Sequence, residues 1–280
     1  MATKLTHVSP DRPRLGGMAL ANGLLVHGPT HWAAAIQRAD GSIAVASGPK
    51  PRINIGAIGD LPIVRGVLRL AESVAVLPAM HRGLPEARFA IEEREATMTV
   101  VVSLATGVIA RRGLRSKLAQ ESVSAALGLV PAIVSLRTTR AAAWHAVEHK
   151  SIAAYEAGGP AEVANAGAYP KEHPRCGSNL ILPLLVATTA TNLAFRALPK
   201  KRRPGSRAVA GVIAAGASVE LFIFATRHPE HPVARAVHGV GHAIQAHLAT
   251  IEPEEAELVV GVAALHEICR VEGIPLGADD

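Results

Sequence analysis

Two histidines one helical turn apart give the first chemical signal in this chain. The segment WHAVEHK, residues 144–150, holds His145 and His149 four positions apart, with Glu148 directly before the second histidine. Side chains at i and i+4 share a helix face, so both imidazoles can bind one zinc ion. A neighbouring carboxylate can then act as general base toward a metal-bound water. His-x-x-Glu-His is also the layout of the helix in inverted zinc peptidases.

A second pair of potential ligands follows in the segment HPRCGS, residues 173–178. His173 and Cys176 stand three positions apart in a turn bounded by proline and glycine. With His145 and His149 they would form a closed, four-ligand structural site, whereas three of the four with a water would form a catalytic one. Alternatively, Cys176 is a thiol nucleophile beside His173.

Glu156 and Glu220 carry carboxylates, which can also bind a metal ion. Glu156 lies roughly 10 Å beyond His149 along a helix axis, too far to share its metal ion. Glu220 lies within an apolar stretch, where an ionisable side chain is a functional candidate, and could be the distant third ligand of an inverted zinc peptidase. The alternative is that Glu220 makes a helix–helix contact with Arg65 or Arg69.

A third group of histidines lies near the C-terminus. His238 and His242 are again four positions apart, and others surround them. We interpret the group as interfacial or core residues, with a second metal site as the alternative. Its members are His228, His231, His238, His242 and His247.

Composition points to a membrane protein. The 280 residues are 49% hydrophobic but only 3% aromatic, and the net charge is +6. With this few aromatic side chains, the protein has no evident platform for stacking bases, and we expect no nucleic-acid partner. Two cysteines exclude a disulfide scaffold and suit a reducing compartment. The N-terminus lacks an apolar signal-peptide core, which favours a cytoplasmic N-terminus.

The N-terminal part is predicted to be a small β unit followed by a helix. Residues 1–15 are interpreted as a polar tail and 16–60 as the β unit, with a hairpin turn at Asp40-Gly41. Pro62 is predicted to open an amphipathic helix, which with a charged linker occupies 61–95. This helix is expected to lie at an interface or pack on the protein rather than span a membrane.

Four apolar stretches follow, at 96–110, 118–136, 177–195 and 208–226. A span needs about 20 apolar residues, which only the last two approach comfortably. We predict a mostly α, membrane-embedded helical protein with about four apolar helices over 96–227, a loop at 141–177 carrying the histidine motifs, and a helical segment at 228–280. Its expected partner is the lipid bilayer, as a multi-pass protein of the cell membrane. The alternative is an alanine-rich soluble helical core.

The motifs together resemble a known family. The segments WHAVEHKSIAAYEAG and HPRCGS, in this order, are similar to those of the YqhQ-like bacterial membrane proteins, a family of unknown function described as metal-dependent enzymes. GGMALANGLLVHGP, LPIVRGVLRLAES and GASVELFIF match further segments of that family. Departures are Asn22, where the family has a glutamate, and His27, where it has a basic residue. The resemblance implies a membrane location and a metal site, but no particular reaction.

Three functional hypotheses follow. The first is a membrane-embedded hydrolase that depends on a divalent metal, most plausibly zinc, with His145 and His149 as ligands, His173 or Cys176 completing the set, and Glu148 as general base. The second is a structural or assembly factor in which the same cluster is a zinc clip without catalysis. The third is a transporter-like protein with Glu220 and the histidines along a proton or metal path. Protein partners and oligomeric state are not predicted.

Overall fold

The computed structural model describes residues 12–89, 92, 94–138, 140–197 and 205–276. Most of the predicted polar tail, and the basic segment at 200–204, lie outside these residues. The described chain begins with a four-stranded antiparallel sheet in the order β1-β2-β3-β4. Its strands are Gly16–Ala19, Gly23–His27, His31–Gln37 and Ile43–Pro49.

Local side chains set the turns of this sheet. The β3–β4 hairpin turns at the predicted position, where Gly41 has a φ of 84° and the Asp40 carboxylate accepts from the Ser42 N–H at 2.9 Å. The apolar residues 18–27 are divided between strands β1 and β2. Asn22 stabilises the break, since its Nδ2 donates to the Glu86 carbonyl and its Oδ1 accepts from the Arg88 N–H, each at 3.0 Å.

The rest of the described chain is mainly helical. Residues 56–60 form a short 3-10 helix, and the predicted amphipathic helix divides at Val76. Three more short helices are Pro160–Ala168 and Gly177–Leu180, both 3-10, and the π-helix Gln245–Ala249. The α-helices are α1 Val64–Ala75, α2 Leu77–Gly83, α3 Arg94–Gly113, α4 Lys117–Thr138, α5 Ala141–Gly158, α6 Ile181–Arg196, α7 Ser206–Arg227, α8 Pro232–Ile244 and α9 Glu255–Glu272.

Within the described residues, two helices are long and apolar enough to cross a membrane. They are Gly177–Arg196 and Ala208–Arg227, and only 22% and 28% of their apolar windows are buried inside the protein. The predicted stretch at 96–110 gives a shorter apolar helix, Met98–Ala110. The architecture is therefore mostly helical with an N-terminal sheet, as predicted, and two helices rather than four reach the length and apolarity of a span.

The sheet has a core on each face because its side chains alternate. Leu24, Val26, Ala33 and Ala35 face α5 and α9 across one buried cluster. The intervening residues of β2 and β3 face α2 across the other. This second cluster includes Leu25, Trp32, Ala34, Ile36, Val76 and Met80. The first core fixes α5, the helix that carries the paired histidines, against the sheet.

Candidate metal centre

Helix α5 places the first site residues in the interior of the protein. It is buried from Ala141 to Glu156 except at His145, which is partly exposed. The helix ends at Gly158, and Gly159 follows with a φ of 85°, a conformation that glycine adopts without strain. His145, Glu148 and His149 therefore project from a helix, as their spacing indicates, and the expected loop at 141–177 is wrong for residues 141–158.

A backbone carbonyl orients the His145 imidazole. His145 Nδ1 lies 3.0 Å from the carbonyl oxygen of Ala249, at the end of the π-helix. A carbonyl oxygen only accepts, so Nδ1 carries the proton and Nε2 presents its lone pair. That Nε2 lies 3.2 Å from the Cys176 sulfur. The Nε2–sulfur distance is that of a thiol–imidazole hydrogen bond, and the carbonyl at Nδ1 orients the ring in the way that such partners orient metal-binding histidines.

His149 is oriented in the same way. Its Nδ1 donates to the Lys171 carbonyl at 2.6 Å, so its Nε2 is also unprotonated. This Nε2 is buried and has no hydrogen-bond partner among the residues that the structure describes. Burial strongly lowers the pKa of the ring, which keeps the lone pair available. Buried polar atoms are nearly always satisfied, so this nitrogen is free to accept a bond from a group outside the described residues.

Cys176 comes from the loop after the 3-10 helix at 160–168. It precedes the short helix Gly177–Leu180, and its sulfur accepts from the Ser178 N–H at 3.4 Å. Burial raises the pKa of the thiol to about 12, so by itself the side chain is a neutral thiol. The two imidazole nitrogens and the sulfur lie within 4.8 Å of one another. Ligand atoms of one tetrahedral zinc ion lie about 3.3–3.6 Å apart, so side-chain rotations would be needed to bring all three atoms to bonding distance.

His173 lies beside the cluster with both ring nitrogens engaged elsewhere. Its Nδ1 accepts from the Arg175 N–H at 3.3 Å, so Nε2 carries the proton and lies 3.3 Å from a Glu156 oxygen. Its ring centroid is 5.8 Å from that of His149. Glu156 also forms an ion pair with Arg175. In this arrangement His173 and Glu156 form an adjacent polar pair, and the role of His173 as a metal ligand stays a prediction.

Glu148 borders the cluster on the sheet side. Its Oε2 lies 4.0 Å from His145 Nε2, and its side chain is only 10% exposed. It packs directly over Gly17 of β1, where an added Cβ would lie 2.6 Å from Glu148 Cγ. Burial raises the pKa of this carboxyl group, while the nearby His145, His173 and Arg175 oppose the shift. The carboxyl group beside the three candidate ligands is thus buried against the glycine of an edge strand.

The sequence of this chain matches a known protein family. The family described as "Protein of unknown function (DUF1385)" matches residues 122–271. The chain belongs to this family. It is also 25% identical, over an alignment 303 positions long, to "Uncharacterized protein YqhQ" of Bacillus subtilis (strain 168), and the alignment covers 94% of each chain. No solved structure matches.

The family match confirms the resemblance seen in sequence and covers the whole cluster. The matched residues of this DUF1385 protein include α5, the Cys176 loop and the π-helix, whereas Gly17 lies outside them. Neither the family nor the relative carries an assigned activity in its description.

Several residues that position the cluster were not predicted from sequence. Gln245 is 1% exposed, and its Oε1 accepts from the His173 N–H while its Nε2 donates to Ser178 Oγ, both at 2.7 Å. This amide links the π-helix to the loop that carries Cys176. The sequence feature that could indicate Gln245 is a polar side chain among apolar residues. The carbonyls of Lys171 and Ala249 left none, since any residue provides a carbonyl.

Other candidates from the sequence lie away from the cluster. Glu220 pairs with Arg65, with Arg65 Nε 3.1 Å from Glu220 Oε1, so the helix–helix alternative is confirmed and Glu220 is not placed as a distant ligand. His238 Nε2 lies 3.2 Å from the Ala225 carbonyl, and His228 and His231 contact the Phe224 ring. Among the described residues, the only group with the spacing of a metal site is the one in α5 and its loop.

Proposed function

We propose that this protein is a membrane-embedded metalloenzyme, most plausibly a zinc hydrolase, with His145, His149 and Cys176 as ligands. The observation that carries the proposal is the buried, partnerless His149 Nε2, which lies in a cluster with His145 Nε2 and the Cys176 sulfur. An unsatisfied polar atom in the interior costs about 1–3 kcal/mol, and a bound cation would remove that cost.

The donor set suits zinc better than the harder divalent cations. Two imidazole nitrogens and one thiolate sulfur are typical zinc ligands, whereas magnesium and calcium prefer oxygen. Both imidazoles are already oriented by carbonyls, at Ala249 and Lys171. Such outer hydrogen bonds fix the tautomer that binds a metal. The residues present therefore fit the group that the sequence implied.

The proposed reaction class rests on ligand number and on Glu148. Three protein ligands leave one tetrahedral position open, the arrangement of catalytic zinc sites. When bound, zinc supplies a Lewis acid at that position. Glu148 lies beside the cluster, and burial moves its pKa upward from the ordinary range of a carboxyl group. Its carboxylate can accept a proton from an attacking water and return it to the leaving group.

The membrane part of the proposal rests on α6 and α7. Cys176 directly precedes the apolar segment Gly177–Arg196, which would place the metal site at the membrane surface. Helices α3 and α4 would add further membrane contacts, giving a multi-pass protein. We propose a cytoplasmic N-terminus. We also propose that Cys176 faces the cytoplasm, a reducing compartment in which a cysteine ligand would stay reduced.

A structural zinc clip is the second candidate, and burial favours it. His149 is 1% exposed and Cys176 is 6% exposed, which leaves little room for a substrate. A metal ion shared by α5 and Cys176 would fasten the loop at 159–176 to the helix. In this case Glu148 would be a neighbour and not a proton carrier.

Metal content is the first test. We expect the detergent-purified protein to contain one zinc per chain by elemental analysis, and His145→Ala/His149→Ala to contain none. The matched control is His238→Ala/His242→Ala, which removes another i, i+4 pair of histidines and should retain the metal. If the wild type contains no transition metal and binds none on reconstitution, the proposal is wrong.

Glu148→Gln separates the two candidates. For a hydrolase we expect this variant to bind zinc and fold normally but to lose turnover of ester, phosphoester or peptide substrates that the wild type hydrolyses. For a zinc clip, Glu148→Gln should be mild, and removal of the metal should open residues 159–176 to limited proteolysis. A zinc-loaded wild type that hydrolyses no class of substrate would favour the clip.

A further inference from the structure

A buried lysine lies directly beside the paired histidines. Lys150 follows His149 in α5, and it is only 3% exposed. Lysine is almost never fully buried unless its ammonium group is paired, because removing a charge from water is costly. Neither the zinc hydrolase nor the zinc clip gives this side chain a role, so its contacts must indicate one.

Three acceptors surround the Lys150 ammonium group. Its Nζ donates to the Gly167 carbonyl at 3.1 Å and to the Tyr169 carbonyl at 2.8 Å. The Glu252 carboxylate is the third acceptor, with its Oε1 2.6 Å from Nζ. An ammonium group has three N–H donors, so each donor has one acceptor and the buried charge is paired with a carboxylate. Lys150 therefore joins α5 to two other segments of the chain.

The first of these segments carries the acceptor of His149. The Lys171 carbonyl accepts from His149 Nδ1 at 2.6 Å, and Lys171 lies two positions after Tyr169. The backbone at Tyr169 is extended, with a φ of −89° and a ψ of 155°. In an extended chain, groups two positions apart point the same way. The bond that holds the Tyr169 carbonyl toward α5 therefore also turns the Lys171 carbonyl toward this helix.

The second segment carries the acceptor of His145. Glu252 lies three positions after Ala249, whose carbonyl oxygen is 3.0 Å from His145 Nδ1. Between them, the Ile251 N–H donates to the Ala142 carbonyl of α5 at 3.1 Å. This segment is thus attached to α5 at two points, the Ala142 carbonyl before His145 and the ammonium group after it.

We infer that Lys150 is a positioning residue of the metal centre, which fixes the two carbonyls that orient the imidazoles of His145 and His149. The inference rests on the proposed metal site and adds to it a group that contacts none of the candidate ligand atoms. Loss of the ammonium group would release both carbonyl-bearing segments at once. Each Nδ1 would then lose its fixed acceptor, and neither Nε2 would be held with its lone pair toward Cys176.

Zinc competition on the full chain in detergent tests the inference with Lys150→Met. Methionine keeps most of the side-chain length but removes the charge and all three donors. We expect the zinc affinity to fall about 10-fold to 100-fold, the usual effect of losing a group that holds metal ligands in place, and the visible bands of bound cobalt to change. The matched control is Lys117→Met, at an exposed lysine that begins α4, which should behave as the wild type.

Two further variants separate misplaced ligands from general destabilisation. Gly216→Ala should destabilise the contact between α1 and α7, where a Cβ would overlap the Ile63 carbonyl, and yet leave zinc affinity and cobalt bands unchanged. If Lys150→Met does not fold, Glu252→Ala replaces it, because the Glu252 side chain is 67% exposed. Glu252→Ala removes only the third acceptor, so it should weaken zinc binding through His145.

Imidazole nitrogen NMR of the metal-free protein gives a second readout. His145 and His149 should both be protonated at Nδ1 in the wild type, whereas Lys150→Met should show mixed tautomers. A folded Lys150→Met protein with wild-type zinc affinity, cobalt bands and tautomers would overturn the inference and leave the metal site intact. If the wild type binds no transition metal, the proposed function fails, and the tautomer comparison alone then decides whether Lys150 orients the two rings.

Discussion

Replacing Gln245 with leucine is expected to weaken the metal site without touching a ligand. Leucine keeps much of the side-chain volume but removes both amide hydrogen bonds, to the His173 N–H and to Ser178 Oγ. These two residues flank Cys176 in sequence. The substitution therefore releases the turn on both sides of the proposed sulfur ligand.

The magnitude follows from the groups left behind. The His173 N–H would be buried without its acceptor, which costs about 1–3 kcal/mol. Ser178 keeps its bond to the Gly241 carbonyl at 3.3 Å, so its hydroxyl adds little. Residues that position ligands typically change metal affinity about 10-fold to 100-fold, or about 1.4–2.7 kcal/mol, which agrees with the cost of the orphaned N–H. We expect an affinity loss in this range.

Chelator competition with zinc measures this loss, and cobalt substitution reports whether the sulfur still binds. The matched control is Gln120→Leu in α4, which removes a glutamine amide that donates to the Leu114 carbonyl at 2.7 Å. Gln120→Leu should bind zinc as tightly as the wild type. A folded Gln245→Leu protein with unchanged affinity and an unchanged cobalt–thiolate band would refute the reasoning.

Three further predictions concern the scaffold. Gly216→Ala should lower the stability by about 1–3 kcal/mol in thermal unfolding, because its Cβ meets the backbone of the segment before α1, whereas Gly211→Ala on the same helix meets no described atom within 4 Å and should not. Burial lowers the pKa of His27 to about 4, so stability should fall by about 1.4 kcal/mol per pH unit from pH 6.5 down to pH 4, a slope that His27→Gln should remove. Asn22→Ala should cost about 1–3 kcal/mol by leaving backbone groups unpaired, whereas the exposed Asn165→Ala should be nearly neutral.

Each of these predictions has a clear opposing result. Equal unfolding midpoints for Gly216→Ala and Gly211→Ala would mean that the close contact with α1 does not form. A stability that is flat between pH 6.5 and 4 in the wild type, relative to His27→Gln, would mean that the imidazole is solvated. A neutral Asn22→Ala would mean that water replaces the amide at the turn.

Local sequence patterns predicted individual turns and helices better than they predicted how many helices have the length and apolarity of a membrane span. The Asp40-Gly41 hairpin and the pairing of His145 with His149 depend on nearest-neighbour geometry, and the structure shows both, although residues 141–158 form a helix where a loop was expected. No local pattern indicates the break between β1 and β2, because that break depends on Asn22 bonding to residues more than 60 positions away. The expectation of four embedded helices depended on stretches whose length alone was marginal.

The site shows the same division. Spacing along α5 was sufficient to pair two histidines, and the third cluster member came from a turn only 31 positions from His145. Gln245 and the carbonyl of Ala249 reach the site through tertiary packing about a hundred residues away, so no local pattern points to them. Whether Glu220 faces a metal or an arginine was likewise a question of helix packing, and Arg65 answers it.

The glycine that covers Glu148 has a consequence for dissecting the chain. Gly17 belongs to the first strand, far outside the family-matched residues 122–271, and the core beneath the histidines also takes Leu24 and Val26 from the sheet. A fragment cut at the family boundary would lose one wall of this core and uncover the carboxylate. Helix α5 and the N-terminal strands thus form one packing unit. Chimeras between relatives should therefore fold only when both segments come from the same parent.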